Sequence, residues 1–195
     1  MKNLFITLFL SFLIVSCSEQ SSSKKETGLK FSINGQIVDE ETYDSRVEDG
    51  TYIVYENGQK LIEDNWIDGK IHGKYFQYHP KGHIEMEGTY ENGIPIGKFI
   101  HYDKNGQIDG EDNYKNGKLH GRSYRSFYEN GKIHWNRYYK DGLDEGRYTS
   151  YHPNGKISSE GNYKNGKQDG QWIFYKKSGE IFLQQKWKDG IRIWK

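Results

Sequence analysis

Asn165–Trp187 reads NGKQDGQWIFYKKSGEIFLQQKW, and the phrase recurs as NGIPIGKFIHYDKNGQIDGEDNY at Asn92–Tyr114 and DGLDEGRYTSYHPNGKISSEGNY at Asp141–Tyr163. Its first glycine falls at Gly69, Gly93, Gly117, Gly142, Gly166 and Gly190, in steps of 24, 24, 25, 24 and 24 residues. A second glycine follows at Gly73, Gly97, Gly121, Gly146 and Gly170, and a third recurs at Gly58, Gly82, Gly106, Gly131, Gly155 and Gly179. Self-similarity at a fixed period of this length specifies a repeat array. Such arrays grow along one axis instead of rounding into a globule.

Each copy holds two short β-prone runs. The first places aromatics three apart, as at Tyr75/Tyr78, Phe99/Tyr102, Tyr148/Tyr151 and Trp172/Tyr175. The second carries apolar residues at alternate positions: Ile84/Met86/Tyr90, Ile133/Trp135/Tyr139 and Ile181/Leu183/Trp187. Alternation puts those side chains on one face of a strand. Asn-Gly and Asp-Gly pairs separate the runs, and both residues of such a turn adopt positive φ, the strongest short-range hairpin signal. No window outside the amino-terminal segment sustains helical periodicity. The expected fold is therefore all-β: an elongated, twisted antiparallel meander of stacked hairpins. With strands about 4.8 Å apart, each copy adds about 10 Å. Gly88, Gly110 and Gly161 fall inside second runs, where a neighbouring ring is expected to lie against backbone.

Composition agrees. Only 33% of the 195 residues are apolar, while 15% are aromatic, including 16 Tyr. Globular domains carry about 45–50% apolar residues, so the core must be built from amphipathic rings. The 28 Lys+Arg against 27 Asp+Glu leave a net charge of +1, which excludes the concentrated basic field of a nucleic-acid binder.

The chain opens MKNLFITLFLSFLIVSC, with Lys2 ahead of an apolar run from Leu4 to Val15. That run is too short to span a bilayer and suits a signal peptide. Ile14-Val15-Ser16-Cys17 resembles the bacterial lipobox, which implies cleavage before a lipid-modified Cys17 and a stable membrane anchor. Ser18 after the cysteine implies the outer membrane of a cell envelope over the inner one. The expected organisation is a signal peptide, forming an N-terminal signal helix, over 1–16, and a lipidated cysteine and flexible tether over 17–28. A degenerate N-terminal hairpin cap follows over 29–48, then hairpin repeats over 49–195. In the cap, Asn34-Gly35 is a turn between β-prone runs, and Arg46 stands where the second glycine is expected.

The phrase [Asn/Asp]-Gly-x-x-x-Gly-x-aromatic-x-x-Tyr resembles the MORN repeat. It is closest to the bacterial variant often grouped as YwqK-type antitoxin-like proteins, and the resemblance covers roughly Gly50–Lys195. It implies a sheet of stacked hairpins and a role in membrane association, scaffolding or protein binding. It brings no catalytic residue.

The residues themselves point to no reaction. His79 and His83 are spaced like zinc ligands, but Pro80 and Gly82 make the segment a turn, whereas such sites need a helix. Glu85/Glu87 and Asp109/Glu111 recur as ordinary polar positions. No nucleophile motif is present, and no metal or cofactor is expected. The fourth copy is richer in Arg and Trp, the residue types that dominate interfaces. Its extra residue is expected as a β-bulge at Arg122–Ser123. Arg122, Tyr124, Arg125, His134, Trp135 and Arg137 are therefore the candidate contacts for a protein partner. The reading is a non-catalytic envelope lipoprotein that binds or scaffolds. An immunity-like protein masking a toxin is the first alternative, and a glycan- or peptidoglycan-binding module the second.

Overall fold

The computed structural model describes residues 28–45, 48–126 and 130–193. The expected signal helix, Cys17, the tether before Gly28 and Arg46 lie outside the described residues.

The described residues form one open sheet of seventeen strands and a single short helix. The strands are β1 (Leu29–Ile33), β2 (Gln36–Val38), β3 (Gly50–Glu56), β4 (Gln59–Ile67), β5 (Lys70–Tyr78), β6 (Ile84–Glu91), β7 (Ile94–Tyr102) and β8 (Ile108–Lys115). They continue as β9 (Lys118–Leu119), β10 (Gly121–Ser126), β11 (Ile133–Lys140), β12 (Leu143–Asp144), β13 (Gly146–Tyr151), β14 (Ile157–Lys164), β15 (Lys167–Tyr175), β16 (Ile181–Lys188) and β17 (Ile191–Ile193). From β3 onward the strands run as an antiparallel meander. β9 and β10 are two pieces of one strand broken before Gly121, as β12 and β13 are before Gly146.

Turn chemistry sets the register. Asn57, Asp68, Asn92, Asn116, Asp141, Asn165 and Asp189 all take φ near +50°, each followed by a positive-φ glycine. These are the turns that Asn-Gly and Asp-Gly favour. The turns also staple copy to copy. The amide of Gly93 donates to the Ile71 carbonyl at 2.7 Å, Gly166 to Asp144 at 2.8 Å and Gly190 to Gln168 at 2.9 Å. On the opposite edge, His79 Nε2–H donates to the Tyr102 carbonyl at 3.0 Å and His152 to that of Tyr175 at 2.9 Å. These two histidines hold one hairpin to the next.

The cap holds a hairpin, β1–β2, turning at Asn34-Gly35, and adds a helix to it. β1 lies between β2 and β3 and pairs with both, so the chain leaves β2 and crosses back to start β3. The crossing holds helix α1 (Glu40–Ser45). Asp39 caps it, its carboxylate accepting the Thr42 amide at 2.7 Å, with Glu40 and Glu41 in the first turn complementing the helix dipole. Six residues are too few to show a helical period in the sequence. Tyr43 on α1 is 4% exposed and covers the first rings of the sheet, 4.8 Å from Phe31 and 5.4 Å from Tyr52 between centroids. With Ile33 and Trp66, Tyr43 and Tyr52 form the amino-terminal core.

Candidate partner-binding surface

Alternation divides the sheet into two faces. Tyr75 and Tyr78, a pair in the sequence, point to opposite sides, and the same split recurs at Phe99/Tyr102 and Trp172/Tyr175. One side is a ring face. Tyr75, Tyr90, Phe99 and Tyr114 follow one another at centroid distances of 5.5, 5.5 and 4.9 Å. Further along, Tyr148, Tyr163 and Trp172 make a second stack, at 5.9 Å for Tyr148–Tyr163 and 5.1 Å for Tyr163–Trp172. Phe99 and Trp172 sit over Gly88 and Gly161, where any Cβ would fall inside the ring. The expectation of rings on strand glycines holds at these two. At Gly110 the covering group is the Arg125 side chain, which corrects the third.

The opposite face carries a tyrosine–glutamate ladder. Tyr78 donates its hydroxyl to Glu63 at 3.0 Å, Tyr102 to Glu87 at 2.6 Å and Tyr175 to Glu160 at 2.7 Å. Burial and the Glu63 bond push the Tyr78 phenol up to about 12. The Glu87 bond, aided by burial, does the same for Tyr102, to about 12.

Both patterns break in the fourth copy, but not by the expected bulge. Ser123 pairs with Arg137 just as Phe99 pairs with Asp112 and Trp172 with Gln185. The register shift in this hairpin falls between Arg125 and Ser126, the place where other copies have it. The extra residue therefore lies in the connection from Ser126 to Ile133, and Arg122–Ser123 is regular strand. Tyr124 is the first aromatic after Gly121, yet the residue in the ring column is Ser123.

A polar cluster fills the place of the missing ring. Asp112 occupies the column of Gly88 and Gly161, and a ring on Ser123 would leave it no room. The Ser123 hydroxyl donates to Asp112 Oδ1. Arg125 Nη2 donates to Asp112 Oδ2 at 2.7 Å, and His101 Nε2 lies 2.9 Å from the same oxygen. Burial pushes the Asp112 carboxyl upward, but the bonds from His101, Arg125 and Ser123 outweigh it and hold it well below the usual carboxylate range. Ser123 faces the carboxylate and not the imidazole, so the trio does not form the hydroxyl–imidazole relay that activates a nucleophile. The sequence held a sign of this cluster: Gly exchanged for Asp at 112 and ring for Ser at 123.

Beside the cluster, Arg125 lies 5.8 Å and Arg137 5.2 Å from the Trp135 ring. Arg137 also lies over Tyr148 at 5.3 Å and Tyr163 at 6.0 Å, and pairs with Asp144 at 3.4 Å. Arg125, Trp135 and Arg137 are thus one half-buried group on the ring face. Arg122 and Tyr124 lie on the tyrosine–glutamate face. Arg122 stacks on Tyr124 at 4.7 Å and donates to Asn136 at 2.7 Å, while His134 is exposed at the residue that the β10–β11 register skips. The candidates are therefore split between opposite sides of the sheet, Arg125, Trp135 and Arg137 on one and Arg122 and Tyr124 on the other. Among the described residues, no group of three or more His, Cys, Asp or Glu is placed to hold a metal ion.

The repeat geometry has a match among known families. Three stretches match the model of the MORN repeat variant. They are residues 71–92, 95–116 and 144–165, each running from one Asn/Asp-Gly turn to the next, and they flank the copy that holds Ser123, Arg125 and Arg137. MORN repeats suggest a binding or scaffolding module. No curated protein matches the sequence significantly. One similar solved structure is the crystal structure of accessory secretory protein 1, 2 and 3 of Streptococcus pneumoniae, at 20% identity and a TM-score of 0.28. That match covers 51% of this chain and 17% of the other.

Proposed function

We propose that this chain is a non-catalytic scaffold of the bacterial cell envelope. It is held to a membrane through a lipid on Cys17 and binds a protein partner across the ring face of its fourth copy. The observation that carries the reading is the interruption of the ring stack at Ser123. There Arg125, Trp135 and Arg137 come together half-buried, on a sheet whose other copies repeat one plan. Arg and Trp are the side chains on which interfaces most often depend. The match to MORN repeats supports a binding or scaffolding role.

Crosslinking in intact cells, followed by identification of the captured protein, tests it. Replacing Arg125, Trp135 and Arg137 together by alanine abolishes capture while the sheet stays folded by circular dichroism. Undiminished capture by that folded variant rejects the surface. Cys17→Ser moves the protein out of the membrane fraction, and unchanged partitioning rejects the anchor. A single tight partner encoded nearby would specialise the reading to an immunity-like protein masking a toxin.

A further inference from the structure

Two arginines share the Trp135 ring, and they differ in how their donors are used. Arg125 has both terminal nitrogens bonded. Its Nη1 reaches Asp112 Oδ1 at 3.3 Å and the Tyr124 carbonyl at 2.8 Å, and its Nη2 reaches Asp112 Oδ2 at 2.7 Å. Arg137 has one long bond, Nη1 to the Tyr139 hydroxyl at 3.4 Å. Its Nε faces Asp144 Oδ1 at 3.4 Å as an ion pair, without the alignment of a hydrogen bond, and neither atom has another partner. Its Nη2 donates to no described residue. The guanidinium is held by rings, over Trp135, Tyr148 and Tyr163, and its side chain is 30% exposed. Packing fixes its orientation and leaves the Nη end of the fork open.

From this we infer that Arg137 receives a carboxylate, borne on an acidic side chain of the protein partner; the inference rests on the partner-binding reading above. A guanidinium fork takes a carboxylate through two parallel N–H···O bonds. Phosphate fits the same fork, but Asp144 lies 3.4 Å from Arg137, and a dianion meets its repulsion twice over. The flanking rings suit the methylene stem of a glutamate. The site lies on an open face, so a free small acid would bury little area. A side chain carried on a protein laid across the sheet brings its own buried surface, which offsets the loss of freedom on binding.

The probe is a fluorescent oligo-glutamate peptide titrated into the full chain in detergent at low salt. The expected result is binding that Arg137→Gln weakens about tenfold, that Arg137→Lys restores in part, and that Arg147→Gln leaves unchanged. Arg147 lies on the other face, paired with Glu160 at 2.8 Å. Arg137→Lys keeps the charge, so it reads the fork even where Arg137→Gln folds poorly. Equal binding by wild type, Arg137→Lys and a folded Arg137→Gln overturns the inference. So do equal losses at Arg137 and Arg147, stronger displacement by a polyuronate or a phosphoserine peptide, or no binding at all. None of these touches the scaffold reading, which stands or falls on partner capture by the triple variant.

Discussion

Ser123 donates its hydroxyl to Asp112 at the step where neighbouring copies lay a ring on a glycine. The carboxylate is 12% exposed, and its ion pair with Arg125 joins the third copy to the fourth. Asp112→Asn removes one partner and leaves Arg125 uncompensated, which should cost about 2 kcal/mol in urea unfolding. The pH dependence has a definite sign. A carboxyl whose folded pKa is depressed stabilises fully above its unfolded value of about 4 and loses that contribution as pH falls through the folded value. The wild-type unfolding midpoint should therefore drop between about pH 4 and 2 more steeply than that of Asp112→Asn.

Gly161→Ala places a methyl group inside the Trp172 ring, and Gly88→Ala does the same at Phe99. Each ring must swing out of its stack, at a cost of about 1–3 kcal/mol. Trp172 is the reporter for the first: its fluorescence should shift toward the red in Gly161→Ala. A variant with native emission and native stability would mean that the ring does not rest on that glycine.

Tyr102 and Glu87 supply a test of the other face. The neutral phenol is the bonded form, so its contribution is present below about pH 10 and is lost as pH rises toward 12. In an ultraviolet phenolate titration, Tyr102→Phe should remove one late-titrating tyrosine. It should lower stability by about 0.5–1 kcal/mol.

Tyr43 closes the amino-terminal end of the ring stack from a helix. Tyr43→Ala should cost about 3 kcal/mol. The loss should be local, because hairpin copies contact only their neighbours. Amide exchange should accelerate in β1 to β4 and stay unchanged in β14 to β16. Uniform acceleration would show one cooperative unit instead.

The hairpin plan was legible because its determinants are local. An Asn-Gly pair fixes a turn, and alternate apolar residues fix a face, without knowledge of distant neighbours. Helix α1 was illegible because six residues hold less than two turns of pattern. The misplaced bulge has another cause. Tyr124 offered an aromatic one position beyond the ring column, and the exchange of ring for Ser at 123 is read as such only beside the exchange of Gly for Asp at 112 across the strands. The Asp112–Arg125 pair and the open fork of Arg137 depend on which residues meet across strands, and this requires the register. Arg122 and Tyr124 looked continuous with Arg125, Trp135 and Arg137 along the chain, but odd and even strand positions face opposite ways.

The turn staples have a consequence for how such a gene can change. Gly93, Gly166 and Gly190 each bond to a carbonyl of the preceding copy, so every junction offers nearly the same socket. Slipped recombination that gains or drops one unit rejoins two compatible ends, and the length of the array can drift. The copy with Ser123 and Arg125 is the exception. Its Asp112 counter-ion belongs to the unit before it, so those two must be inherited together.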